Sequence, residues 1–262
     1  MYFAVIGKGI RGKSASPAMH TASFKALGID AVYVALDVPR EELGCFAQLA
    51  RLNFRGFNVT IPHKEEMVKY LDALAAEARA VGAVNTVLVE RNLLVGYNTD
   101  ALAVYNLAGD YIKGADVLII GAGGAARAAA FAAVKAEARR IYIMNRTAER
   151  AEALAKEFGE KFSREVSAVR WGEAPPADVV INATPIHDQI LADLSKAALY
   201  VEFVYTPTPR TRMVQEAEKR GVKVVDGVSL LVEQGALAER IWLGVEPDRE
   251  VMRRAVLQFL GL

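Results

Sequence analysis

The chain has 262 residues, 53% of them hydrophobic and 24% charged, a composition that suits a globular protein with a full core and excludes a disordered chain. Lysine plus arginine number 32 against 31 acids, a formal net charge of +1, so there is no whole-molecule field to draw in nucleic acid or an anionic membrane. The expectation is a small ligand, recognised locally, on two compact units or one large α/β unit.

The opening MYFAVIGKG is a short apolar run ending in glycine. It lacks the basic flank and cleavage site of a secretion signal, no later run reaches membrane-spanning length, and a cytoplasmic setting is expected. Short apolar runs then alternate with amphipathic ones: FAVIG, SPAMHTASFKALGI, AVYVALDV, REELGCFAQLARLN, RGFNVTI. Strand followed by helix, repeated, predicts a mostly parallel sheet covered by helices. Pro17 fits the first turn of one helix, and Glu41 fits the entry of another. Cys45, the single cysteine, rules out an internal disulfide and reads as a core helix residue. NTVLVERNLLVGYNTD predicts two strands with a turn near Arg91 and Asn92, and a helix from about Ala101.

The pattern restarts at Ala115 with DVLIIGAGGAARAAAFAAV and runs through RRIYIMN, TAERAEALAKEF, AVRW, ADVVINATP, ALYVEFVY and VKVVDG. This half carries the more regular doubly wound signal. Two helical stretches, SLLVEQGALAERIWLG and DREVMRRAVLQFLGL, close the chain, and the boundary between units is placed near Ala101.

Gly121 to Ala126, GAGGAA, fits G-x-G-x-x-A directly after a strand and at the head of a helix. Gly121 permits the tight turn, Gly123 lets backbone approach a pyrophosphate, and Ala126 lets the helix pack close to the sheet, with helix N–H groups offered to phosphate. An NAD site would place an acid at the end of the next strand. Here the strand ends Asn145-Arg146-Thr147. A guanidinium fork and a hydroxyl suit a 2′-phosphate, which points to NADP. The plainer alternative makes Arg146 and Arg150 a solvated helix start, with Thr147 a simple cap.

In the first half, polar residues gather at predicted strand ends: Ser14 and Ser16, Thr60 and Lys64, Asn85, and Asp100. Hydroxyls, an amide, one cation and one carboxylate suit a polyhydroxylated ligand. Reducing a ketone by hydride requires a general acid at the nascent oxygen, and Lys64 and Asp100 are the candidates. The alternative for Lys64 is an ordinary solvated lysine in HKEEMVK. His20, His63 and His187 show no metal-ligand spacing, so no metal is expected. Trp171 and Trp242 read as packing residues.

An ordered series of motifs runs from Gly7 to Gly244: SASP, GFNVTIPHK, GAVNT, GYNTD, GAGGAARA, NRT, NATP, VYTPTPRT and LLVEQGALA. In that order the chain closely resembles the shikimate dehydrogenases, which reduce 3-dehydroshikimate to shikimate with NADPH in aromatic amino-acid biosynthesis. The resemblance implies an N-terminal α/β substrate domain over residues 1–100 and 237–262, the last helices returning to it, and a Rossmann-type dinucleotide domain over 101–236. It implies Lys64 and Asp100 as the catalytic pair, Ser14 and Ser16 on the substrate carboxylate, and Thr60, Asn85, Tyr205 and Gln234 completing the pocket. On the cofactor side it implies Gly121, Ala122, Gly123, Gly124 and Ala125 in the loop. Asn145, Arg146, Thr147, Arg150, Thr184 and Gly227 complete that set.

Shikimate or 3-dehydroshikimate is the implied partner, without nucleic acid or membrane, and a homodimer is left open. The chain departs from the pattern in three places: Lys13 stands where a histidine commonly precedes the serine, IHDQI follows NATP, and Glu202 replaces a common aspartate. A quinate-using relative and a non-catalytic dinucleotide-binding regulator are the competing readings.

Overall fold

The computed structural model describes residues 1–262. The chain divides into two compact units, Met1–Thr99 with Leu231–Leu262, and Asp100–Leu230.

The first unit begins with strand β1 (Tyr2–Gly7), helix α1 (Ser16–Ala26) and strand β2 (Val32–Asp37). A 3-10 turn at Arg40–Glu42 leads into α2 (Leu43–Asn53), followed by β3 (Gly56–Val59). A second 3-10 turn, Glu66–Tyr70, precedes the short β4 (Ala73–Leu74), α3 (Ala76–Val81), β5 (Thr86–Glu90) and β6 (Leu93–Tyr97). The six strands order as β2-β1-β3-β5-β6-β4. The β2-β1-β3 half is parallel, but β5 runs antiparallel to both β3 and β6. The sheet is therefore mixed, because Arg91 and Asn92, both at positive φ, form a tight hairpin turn where a parallel strand would need a crossover.

Strand β3 is buried at every position. One face of α2, Leu43, Phe46, Ala47 and Ala50, packs into the core with Phe57 and Met67. Cys45 falls on the other side of that helix and is exposed, correcting its assignment to the core. The adjacent Glu42 carboxylate pushes its thiol pKa up.

Helix α4 (Thr99–Ile112) contains the crossing into the second unit. There β7 (Asp116–Ile120), α5 (Gly124–Lys135), β8 (Arg140–Met144), α6 (Ala148–Phe162) and β9 (Val166–Val169) come first. Then follow β10 (Val179–Asn182), β11 (Leu199–Glu202), α7 (Arg212–Lys219) and β12 (Lys223–Val225). The sheet order is β12-β11-β10-β7-β8-β9, parallel at every pairing. Strand order reverses beside β7, where a doubly wound fold binds its ligand. Helix α5 buries six alanines, whose small side chains let it lie close to the sheet. Trp171, just past β9, is 36% exposed, a surface position where the sequence suggested packing.

Helix α8 (Gly227–Leu243) carries the chain back at Leu231, ahead of the return expected from about Leu237. On this helix Gly235 lies so close to α1 that a Cβ would sit 2.3 Å from Met19 Cε. Trp242 is wholly buried against Phe3 and donates its indole N–H to the Val87 carbonyl at 2.9 Å. Burying such a ring is worth roughly 3 kcal/mol or more. Finally α9 (Arg249–Phe259) is capped by Asp248, whose carboxylate accepts from Glu250 N at 2.8 Å. No helix is long and apolar enough to cross a membrane.

Candidate active site

In the first unit the polar residues at the strand ends are held by one another. Asn58 Nδ2 donates to the Asn85 carbonyl at 3.1 Å and to Thr86 Oγ1 at 3.0 Å, while its Oδ1 accepts from the Tyr33 hydroxyl at 2.6 Å. Asn85 Oδ1 in turn accepts from the Thr99 backbone N–H at 2.7 Å. Asn85 Nδ2 reaches Thr99 Oγ1 at 2.9 Å and Gln234 Oε1 at 3.2 Å. Asn58, Asn85, Thr86 and Thr99 are all buried. Buried amides are tolerated because their donors and acceptors are met internally. This network joins β3, β5, the start of α4 and the returning α8, and it fixes Thr99 beside Asp100, itself 8% exposed.

Thr60 and Lys64 follow β3 on a turn pinned by Thr60 N–H to Ile6 O at 2.9 Å and by Val84 N–H to Lys64 O at 2.8 Å. His63 is buried, with Nε2 2.7 Å from the Val38 carbonyl, so it anchors that turn. Both Thr60 and Lys64 remain partly accessible. Ser14 Oγ accepts the Ser16 backbone N–H at 3.3 Å, which places the two serines together at the head of α1.

In the second unit, Gly121 holds φ +121°, a conformation that favours glycine, and a Cβ there would crowd Ala183 O at 3.1 Å. A Cβ at Gly123 would meet nothing within 4 Å, so the loop is open on that side. Gly123 caps α5 without a side-chain bond, presenting the helix's first N–H groups to whatever fills the opening. Arg150 leans back on the loop, its guanidinium 3.4 Å from Ala122 O, and Asn145 Nδ2 donates to Thr147 O at 2.9 Å. Arg146, Thr147 and Arg150 are exposed. At the end of β10, Asn182 Oδ1 accepts from Thr184 N at 3.0 Å and Thr184 Oγ1 at 2.7 Å. Gly227 sits where a Cβ would meet Val204 O at 2.1 Å, so no side chain fits there. Tyr205 follows Val204 and is half-buried.

Three family models match the chain: "Shikimate dehydrogenase substrate binding domain" over residues 5–87, "Shikimate / quinate 5-dehydrogenase" over 103–200, and "Shikimate 5'-dehydrogenase C-terminal domain" over 227–257. The shikimate dehydrogenase (NADP(+)) of Pyrobaculum aerophilum is 78% identical over 262 residues, all of both chains. The chain belongs to the shikimate dehydrogenase family. Its fold also matches the crystal structure of shikimate 5-dehydrogenase from Thermus thermophilus in complex with NADP(H) and shikimate, with TM-score 0.85, 37% identity and 99% of each chain covered. The quinate dehydrogenase of Corynebacterium glutamicum, in complex with NAD, matches with TM-score 0.88 at 29% identity, over 98% of this chain and 99% of that one.

Within this shikimate dehydrogenase family member, two residues of consequence escaped the sequence reading. Thr99 looks like an ordinary helix start, yet it is the centre of the first unit's network. Thr211 looks like a plain cap for α7, yet its hydroxyl also donates to Glu202 at 2.8 Å. The one available signal was the departure at Glu202 itself.

Proposed function

We propose that the chain catalyses the reversible, NADP-dependent interconversion of 3-dehydroshikimate and shikimate, the reaction that serves aromatic amino-acid biosynthesis. The observation that carries this is the 78% identity to a shikimate dehydrogenase (NADP(+)) across the whole of both chains. The donor set fits the cofactor. The open backbone beside Gly123 and the N-terminus of α5 suit a pyrophosphate, and exposed Arg146, Thr147 and Arg150, without a carboxylate at that strand end, suit a 2′-phosphate.

When bound, NADP supplies or accepts the hydride. The backbone of Gly121, Ala122, Gly123, Gly124 and Ala125 would hold the pyrophosphate, Asn145 would serve the ribose, and Thr184 and Gly227 would serve the nicotinamide. In the substrate direction, Ser14 and Ser16 donate their hydroxyls to the carboxylate. Thr60, Asn85, Tyr205 and Gln234 provide hydroxyl, amide and phenol partners for the ring hydroxyls. Lys64 Nζ gives its proton to the carbonyl oxygen as that oxygen becomes a hydroxyl, and takes it back in the reverse direction. Asp100 is assigned to orienting the same hydroxyl. The first unit is thus the substrate domain and the second the dinucleotide domain. A cytoplasmic homodimer is the assembly we carry forward, to be tested by light scattering.

The test is the rate of NADPH formation from shikimate, with NAD replacing NADP and quinate replacing shikimate in parallel. Rapid turnover only with shikimate and NADP is expected. Faster turnover of quinate would move the chain to the quinate branch, and NADP binding without turnover of either acid would overturn the catalytic reading.

A further inference from the structure

Glu202 ends β11 fully buried and accepts four hydrogen bonds. Its Oε1 takes Asn182 Nδ2 at 2.9 Å and the Val204 N–H at 3.0 Å, and its Oε2 takes the Tyr200 hydroxyl at 2.6 Å and the Thr211 hydroxyl at 2.8 Å. Two of these partners, Asn182 Nδ2 and Val204 N–H, can only donate and both meet Oε1; the Tyr200 and Thr211 hydroxyls meet Oε2, and a carboxylate accepts from all four. Burial raises its pKa while these same donors oppose the rise.

What the four donors belong to gives the cluster its meaning. Asn182 folds the segment after β10, holding Thr184 through Oδ1 and the Ile186 carbonyl through Nδ2 at 3.0 Å. Val204 and Thr211 begin and end the segment that carries Tyr205, and the Val204 carbonyl is the wall against which Gly227 is seated. Thr211 Oγ1 also accepts the Val214 N–H at 3.2 Å, fixing the start of α7. One carboxylate therefore ties together the supports of Thr184, Tyr205 and Gly227. Its own four partners do not include the glycine loop or Arg146, and the segment it supports meets that loop at Gly121, against Ala183 and Thr184.

We propose that Glu202 is a positioning residue for the nicotinamide half of the site: its carboxylate sets the loops at 183–186 and 203–211 in the geometry that receives the ring, and leaves the adenosine half untouched. This rests on the cofactor reading above. The glutamate side chain is long enough to reach Asn182 and Thr211 at once.

The experiment compares binding of NADP with binding of adenosine 2′,5′-bisphosphate, which carries the 2′-phosphate and lacks nicotinamide, by calorimetry on the full chain. In Glu202→Gln an amide N–H group replaces the acceptor of the Tyr200 and Thr211 hydroxyls, and NADP affinity should fall about tenfold with the bisphosphate affinity changed less than about twofold. In the turnover assay, kcat should fall at least as far as affinity. Glu202→Asp should recover part of both losses. Thr211→Val, which removes one donor from a folded cluster, should show the same split at smaller amplitude. Equal loss of both ligands, or no loss of either, in Glu202→Gln and Thr211→Val alike would overturn the proposal. A wild-type chain that binds both ligands but turns over neither shikimate nor quinate would overturn the enzyme reading while leaving the split measurable. A wild type that binds neither would overturn the cofactor reading itself.

Discussion

The two units build their sites from different materials. In the first, side chains meet side chains: Asn58, Asn85, Thr86, Thr99 and Gln234 satisfy one another in a buried network. In the second, the glycine loop is shaped by backbone, with Gly121 at positive φ, open space at Gly123 and arginines left in solvent. A side-chain network fixes atoms within tenths of an ångström, but each member depends on the rest. A backbone cradle tolerates change around it and delegates selectivity to a few exposed charges. The first design suits recognition of a ring with several hydroxyls, and the second suits gripping phosphates.

The sharpest way to break this contrast is at the chemistry. Lys64→Ala should lower kcat with shikimate by about 10² to 10⁴-fold, the range expected for loss of a positioned general acid, with NADP affinity unchanged by titration. Wild-type turnover in that variant would remove Lys64 from the mechanism.

Next comes the network. Asn85→Ala strands partners at Thr99 and Gln234 and should cost about 2–3 kcal/mol in urea unfolding, besides raising the KM for shikimate. If the network is interdependent, Thr99→Val on top of Asn85→Ala should add much less than it costs alone, which a double-mutant cycle reads directly.

The cradle should respond more gently. Arg146→Ala should cut the preference for NADP over NAD by about tenfold, or about 1.4 kcal/mol, with the KM for shikimate unmoved. An unchanged preference would assign Arg146 to the solvated helix start.

The smallest effect concerns an ion cluster of three residues outside both sites. Asp116 at the start of β7 is held by Arg140 at 2.5 Å and Arg139 at 2.8 Å, and these two lower its pKa from 3.8 to about 2. Because the folded pKa lies below the unfolded one, its contribution is complete above pH 3.8 and is lost as pH falls through about 2. With both arginines partly exposed, Asp116→Asn should cost about 1 kcal/mol at neutral pH and flatten the acid limb of the stability profile.

How much of this was readable beforehand follows the same division. Gly121, Gly123 and Ala126 announced the second unit's loop because backbone geometry restricts residue choice, leaving a spacing visible in sequence. The mixed first sheet was partly readable from Arg91 and Asn92. Thr99 was invisible, since a threonine at a helix start has an ordinary explanation and its partners lie far away in the chain, at Gln234 for one. Cys45 and Trp171 were misplaced for a related cause. Residue type predicts burial only on average, and which side of a helix or loop meets the core is decided by its neighbours.

Trp242 stands directly over Gly56, where a Cβ would lie 2.3 Å from the indole nitrogen. The last segment of the chain is therefore a structural part of the sheet that its first segment begins. During synthesis on the ribosome, residues 100–230 emerge as one continuous segment, while the unit that residues 1–99 begin receives its last segment, 231–262, only at the end. The unit begun first is completed last.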